Sequence, residues 1–347
     1  MNGVVMWRKP QIWIGFIFSA VALFFAFRSI EWDKLGESLR GAQYVYLIPS
    51  ALALIIAMAI RAERWRWLYG ERRKQVSFGR AFGPLCIGYF LTNTFPFRLG
   101  EVARAIFIAR DGKVTIAHTA STIVVEHVLD VLTVLGMLVV LIAGGGIPLP
   151  DWAQQGATLS AYAFGAALIV MLILVWQRTR VERWAEQILD RIPRLHTQTW
   201  LQRVVHILDG FAVLQPGLPL LVVVFWSITG WLFSALTFHL ALQAFMPNPS
   251  FTMSVFATVT TTFILLVPAT PGGVGTLDWT IQQSLVVFGV DASLGLSFAL
   301  VFHMMEYIIM DLAGLIALWR AAGSWASIKA QIRSVTAAST SAESSSL

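Results

Sequence analysis

An all-α, polytopic membrane protein is the fold class this sequence predicts. Three observations predict it. Of the 347 residues, 57% are hydrophobic and 13% are charged, and mean hydropathy is +0.70; a soluble domain of average usage carries about a quarter charged residues. The apolar residues fall in long continuous runs near the ~20 residues that a bilayer core demands, not in the alternation of a membrane barrel. Two of the runs are broken in the middle by proline and glycine. The chain is therefore expected to form six full transmembrane helices plus two oppositely oriented re-entrant hairpins in an inverted repeat.

Arg8 and Lys9 precede the first apolar run, Ile12–Phe27, and no small-residue cleavage site follows it. It reads as a retained signal-anchor helix. Tyr44–Ile60 is the second span. The next apolar region, Ala81–Ala109, is interrupted by N-T-F-P-F-R-L-G-E at 93–101. Spans follow at Ala117–Ala143, Leu159–Trp176 and Leu218–Phe245. Phe251–Val267 then runs into P-A-T-P-G-G-V-G-T-L-D at 268–278, with a second apolar limb at Thr280–Val290. Leu294–Arg320 is the last span, and the Ser/Ala/Thr-rich tail 334–347 is expected to be disordered. Proline and glycine end helices. Broken backbone at membrane depth survives only when buried in protein or lining a watery cavity, so both breaks are expected at the tips of hairpins.

Orientation follows from lysine and arginine. With cytoplasmic termini and both broken regions entering and leaving on one side, 22 of the 25 basic residues face the cytoplasm. The exceptions are Arg28, Lys34 and Arg40 in the first external loop, balanced by Glu31, Asp33 and Glu37. Full crossings by the broken regions would destroy this asymmetry. Segment 178–215, with apolar residues at helical spacing between arginines, reads as amphipathic helix on the inner leaflet. Trp32, Trp65, Trp176 and Trp319 sit at span ends like interfacial anchors. Cys86 lies within an apolar run and reads as a small core residue. The net charge of +6 is explained by this placement and points to no nucleic acid.

Within a single domain, 1–333, two blocks have the same order of elements: about 44–143 and about 218–320. Each is a span, a broken hairpin and a span, and the tips share P-x-x-x-G: Pro96–Gly100 against Pro271–Gly275. Paired helix breaks in inverted repeats point to a transporter's midplane site. The first tip offers Asn93, Arg98, Gly100, Glu101 and Arg104. A guanidinium fork suits phosphate, and a half-helix N-terminus favours anions. Snorkelling of the arginines to the surface is the bland alternative, and Glu101 with Arg104, at i, i+3, can pair. The second tip offers Pro271, Gly272, Gly273 and Gly275, followed by Asp278 in a helical first turn. Glu126 and Asp130 share a helix face at i, i+4 and need a partner such as Arg98 or Arg61, or a proton. His303 and Glu306 are neighbours in the last span. Glu126, Asp130, Asp278, His303 and Glu306 are thus candidates for balancing charge or relaying protons, with a structural ion pair as the competing reading. No HExxH, CxxC, P-loop or GxSxG occurs, and no metal or cofactor is expected.

Four segments together resemble the lysylphosphatidylglycerol synthase transmembrane-region family, also called flippase-like domain proteins. They are R-A-E-R-W at 61–65, N-T-F-P-F-R-L-G-E-V-A-R-A at 93–105, V-E-H-V-L-D at 125–130 and P-G-G-V-G-T-L-D at 271–278. The resemblance implies an inner-membrane protein that moves a lipid with a phosphate-containing head group between leaflets, such as an aminoacylated phospholipid or a polyprenyl-linked lipid. Three positions depart from the family pattern. His127 and His303 stand where arginine is usual, and Asp278 where glutamate is usual. The histidines make those contacts pH-sensitive. The soluble aminoacyl-transfer domain of fused members has no counterpart in this sequence, so synthesis of lysyl-lipid is not expected. A membrane lipid is the expected ligand, with a second copy of the chain or a lipid-modifying enzyme as candidate protein partners. An integral-membrane lipid-modifying enzyme, or an accessory subunit of a membrane glycosyltransferase, are the alternative functions.

Overall fold

The computed structural model describes residues 10–28, 30–95, 99–145, 217–265 and 270–322, with isolated positions between 147 and 166. The expected span at 159–176, the amphipathic segment 178–215, the tail 334–347, and Arg8, Lys9 and Arg98 therefore lie outside the residues described in full. Among the described residues the structure is helical, without strands: α1 Pro10–Arg28, α2 Trp32–Gly41, α3 Leu47–Leu68, α4 Phe78–Thr94, α5 Leu99–Ala109, α6 Ile116–Ala143, α7 Leu218–Leu242, α8 Phe251–Ile264, α9 Thr276–Val286 and α10 Ala292–Ala322. Four helical stretches are long and apolar enough to cross a membrane: Tyr44–Leu68, Ile116–Ala143, Leu218–Leu242 and Ala292–Ala321. Large apolar side chains point outward along them at i, i+3 and i, i+4. Examples are Leu221, Phe225, Ile228 and Leu232 on α7, and Met304, Ile308, Leu312 and Ile316 on α10. Such stripes suit a hydrocarbon surround, whereas a water-soluble surface rarely carries large contiguous apolar patches.

Local chemistry sets the boundaries. Thr115 caps α6 by accepting from His118 N–H at 3.2 Å, and Ser250 caps α8 by accepting from Met253 N–H at 3.2 Å. α4 ends at Thr94 with Phe95 extended, as the residue before a proline prefers. Both broken regions form pairs of packed helices, α4 with α5 and α8 with α9. The first pair is tight because Gly88 and Gly100 face each other: a Cβ on Gly100 would lie 1.9 Å from the Gly88 carbonyl oxygen. The α8–α9 connection carries a 3-10 turn at Pro271–Gly273, and Gly272, Gly273 and Gly275 all have positive φ, from 67° to 86°.

Two expectations about the first half are corrected. The second span does not stop at Ile60. α3 continues to Leu68, which draws Arg61 and Arg64 into the bundle. Buried polar partners on α6 and α7 make that extension tolerable. Trp65 is not an interfacial anchor; it is fully buried, and its indole Nε1 donates to Thr122 Oγ1 at 3.0 Å. Trp32 and Trp319 are exposed, in keeping with an anchoring role. The connection between α1 and α3 contains the short amphipathic helix α2, which packs on α10.

The packing pairs have an internal regularity. α3 packs on α7. α4 packs on α10 as α8 packs on α6, and α3 packs on α10 as α7 packs on α6. Within the halves, α3–α4 matches α7–α8, α5–α6 matches α9–α10, and α3–α6 matches α7–α10. The α3–α7 seam is close because small residues line it: Ser50 Oγ donates to the Thr237 carbonyl at 2.7 Å, and Gly230 sits against Ile60 and Arg61. An aromatic cluster of Phe238, Phe298 and Phe302 ties α7 to α10.

Candidate functional site

Beneath the first hairpin lies a buried network of four charges. Arg64 Nη1 donates to Asp130 Oδ1 at 2.5 Å, and its Nη2 donates to Asp130 Oδ2 at 3.1 Å and Glu126 Oε1 at 3.2 Å. Arg104 Nη2 donates to Glu126 Oε2 at 2.6 Å, and its guanidinium lies over the Trp65 ring at 4.2 Å. Trp231 on α7 adds a donor to Asp130 Oδ1 at 2.9 Å. The i, i+4 spacing on α6 brings both carboxylates to one face, as read from the sequence. Their hydrogen-bonded partners are Arg64 and Arg104 and not Arg61, and Arg104 pairs with Glu126 instead of Glu101; Arg98 lies outside the described residues. Arg104 spends Nη2 on Glu126 and so clamps α5 to α6, while the Nε of Arg64 and of Arg104 is buried without a hydrogen-bond partner among the described residues.

The other described residues of the first tip are likewise engaged. Glu101 Oε1 meets His127 Nε2 at 3.0 Å, linking α5 to α6. Asn93 Nδ2 donates to Asp311 Oδ1 at 3.0 Å, linking α4 to α10. Gly100 is buried against Gly88 and serves close packing. Of the basic residues in this region, Arg61 is different. It is half-buried on α3, donates from Nη2 to Ser234 Oγ at 2.8 Å and rests 5.2 Å from the Trp231 ring; it makes no ion pair with a carboxylate among the described residues, though Asp130 and Glu306 lie within its electrostatic reach.

The second tip is held from three sides. Ser19 on α1 donates to Thr270 Oγ1 at 3.0 Å and accepts from Thr270 N–H at 3.2 Å. Asp278 Oδ2 accepts from Gly275 N–H at 2.9 Å, a first-turn cap of α9. His303 on α10 brings Nδ1 to 2.8 Å from Asp278 Oδ1 and Nε2 to 3.2 Å from the Gly272 carbonyl oxygen. Tyr307 Oη donates to the Pro271 carbonyl at 3.4 Å. The Pro271–Gly273 turn also packs against α4, so the second tip touches the first hairpin. Glu306, one turn beyond His303, accepts no hydrogen bond from a described residue, and it lies within electrostatic reach of His303 and Arg61.

The described site residues thus form three groups: a locked network at Arg64, Arg104, Glu126 and Asp130; a tip cluster at Gly272, Gly275, Asp278 and His303; and Arg61 with Glu306, which make no ion pair among the described residues and lie within electrostatic reach of each other. Arg64 was missed as a site residue because the span was ended four residues before it. The signal was present in A-I-R-A-E-R-W, where two arginines at i, i+3 continue an apolar run without a helix breaker.

A helical membrane protein with two broken-helix hairpins and a charged network beneath the first of them is the class that this fold and site define. The family model described as the lysylphosphatidylglycerol synthase TM region matches residues 12–314, and the chain belongs to that family. Its relatives include a UPF0104 membrane protein of Methanothermobacter thermautotrophicus, 25% identical over 322 residues, which cover 87% of this chain and 92% of the relative. Another is the UPF0104 membrane protein MJ1595 of Methanocaldococcus jannaschii, 22% identical over 300 residues, covering 82% of this chain and 88% of the relative. No solved structure matches the chain.

Proposed function

We propose that the chain moves a lipid with a phosphate-containing head group between the leaflets of the cell's inner membrane. The α4–α5 and α8–α9 hairpins would re-enter from opposite faces, with both termini cytoplasmic and residues 44–143 and 218–320 forming an inverted repeat. The packing pairs that survive exchange of the two halves support this arrangement, as does the touch between the second tip and α4. The observation that carries the substrate reading is Arg61. A guanidinium half-buried in a spanning helix, with a hydroxyl and an indole face as neighbours and no carboxylate bonded to it among the described residues, is suited to hold an oxyanion. Arg98, outside the described residues, is the second candidate for the same contact. The buried Arg64 network is the frame that fixes α3, α5, α6 and α7 around it.

The test is leaflet exchange of fluorescent phospholipids in vesicles containing the purified full-length protein. Arg61→Gln is expected to slow exchange of phosphate-bearing lipid at least about tenfold, the effect of losing ~1.4 kcal/mol or more of a charge-assisted contact. Exchange at the parent rate in Arg61→Gln would remove Arg61 from the site, and equal exchange in protein-free vesicles would remove the transport reading itself.

A further inference from the structure

His303 faces two acceptors, and this fixes a proton count. A carbonyl oxygen only accepts, so the contact with Gly272 at 3.2 Å requires a proton on Nε2. The contact with Asp278 Oδ1 at 2.8 Å requires a proton between that oxygen and Nδ1. A neutral imidazole carries one N–H. Neutral His303 beside ionised Asp278 would therefore leave one contact with lone pair facing lone pair. Both contacts are made together only when the pair holds one more proton, as imidazolium with carboxylate or as imidazole with carboxylic acid.

We propose that Asp278 and His303 form a proton-binding site whose occupancy sets the hold on the tip of the second hairpin. With the proton bound, His303 bridges α9 and the Gly272 carbonyl. When the proton leaves, the contact to the ionised Asp278 is kept as the stronger of the two; the proton remaining on the ring moves to Nδ1, and Nε2 becomes an acceptor. The Gly272 carbonyl then loses its donor, and the tip keeps the contacts from Tyr307 and Ser19 and the Gly275–Asp278 cap. Glu306 is the acceptor for the departing proton: it is one turn from His303 and free of hydrogen bonds from described residues.

The ionisable groups that face the ring come from few elements. They are Asp278 from α9, and Glu306 and Tyr307 from α10 itself, the Tyr307 ring lying 4.8 Å away. Arg61 of α3 acts through Glu306. α4 carries Tyr89 and Asn93, and Asn93 is bonded to Asp311. α2 meets α10 at Ser297, six residues before His303, so Asp33, Lys34 and Glu37 lie beyond it. α7 carries His239, which contacts Ser254.

The first half has a comparable pair, Glu101 with His127 at 3.0 Å, between its second hairpin limb and the following span. That pair makes one contact, and its side chains are 44% and 33% exposed for His127 and Glu101, against 8% and 3% for His303 and Asp278. The double contact and the burial single out the second half. The site itself does not depend on the substrate; its consequence for transport rests on the lipid reading above.

The experiment uses full-length protein in nanodiscs, with Cys86→Ser and Val274→Cys; Val274 is an exposed residue of the tip. Maleimide labelling of that cysteine is followed across pH, with 15N-histidine spectra read in parallel. Labelling is expected to rise several-fold in a single step as pH rises, with His303 passing from two N–H protons to one across the same step. His303→Arg cannot lose its proton and is expected to hold labelling at the slow level throughout. Asp278→Asn is expected to abolish the step by a different route. A flat profile in the parent, an unshifted step in both variants, or a His303 ring with one N–H at every pH would overturn the proposal. An intact step in a protein that exchanges no lipid would sink the lipid reading and leave the proton site standing.

Discussion

The two hairpins have the same plan and different fastenings. α5 is fixed to α6 by a guanidinium on a carboxylate, inside a network with a second guanidinium and a second carboxylate. α9 is fixed to α10 by an imidazole on a carboxylate, with three glycines at positive φ in the turn before it. Arginine stays charged at any pH a cell sees, so the Arg104–Glu126 fastening holds whatever happens at the more exposed His127–Glu101 contact beside it. Histidine changes charge near neutrality, so the second is conditional. On the proposal above, the difference makes one hairpin the frame and the other the moving part.

The sharpest way to break this comparison is Arg64→Leu. It leaves Glu126 with one cation and Asp130 with an indole donor, both within the bundle. Removing one partner of a buried ion pair costs about 3–5 kcal/mol. The variant is expected to lose that much stability in detergent unfolding, while Asp278→Asn loses markedly less. Equal losses would mean that the first hairpin is no more locked than the second.

Much of this contrast was legible in the sequence, and the exceptions have physical causes. Apolar run length gave four of the spans, because twenty apolar residues are costly to place anywhere but hydrocarbon. Pro96 and the Pro271–Gly275 cluster located both breaks, because ring closure and positive φ are local properties. The shared face of Glu126 and Asp130 followed from helical spacing. Pairing was the part that stayed hidden. Which arginine meets which carboxylate depends on how α3, α5 and α6 cross, and Arg64 and Glu126 are 62 residues apart. The end of α3 was misjudged for a related reason: charges terminate a span on hydropathy alone, but partners on neighbouring helices allow it to continue.

The glycines provide a second, smaller separation of the hairpins. Gly100→Ala sets a methyl 1.9 Å from a backbone carbonyl of α4, so two helices must part. Overpacking of this kind costs about 1–3 kcal/mol, and the upper end is expected because backbone cannot swing away. Gly272→Ala meets the Tyr307 hydroxyl, the end of a side chain that can rotate, and adds a left-handed φ worth about 1–2 kcal/mol. Thermal unfolding should therefore rank Gly100→Ala below Gly272→Ala. The reverse order would show that the second tip, and not the first, is the rigid one.

The mildest change probes how α1 restrains the second tip. Ser19 is buried on α1 and makes two hydrogen bonds to Thr270, one to its hydroxyl and one from its backbone N–H. α1 also closes on Gly275, where a Cβ would lie 2.5 Å from Leu23. Ser19→Ala removes the hydroxyl and keeps the van der Waals contact, a loss of about 1 kcal/mol. Global unfolding should move little, because α8, α9 and α10 keep their own packing. The change should appear instead as faster hydrogen exchange confined to Thr270–Gly275, as expected when a segment opens locally at small cost. If Ser19→Ala speeds exchange equally around Gly100, the two tips move as one body, and the division into frame and moving part fails.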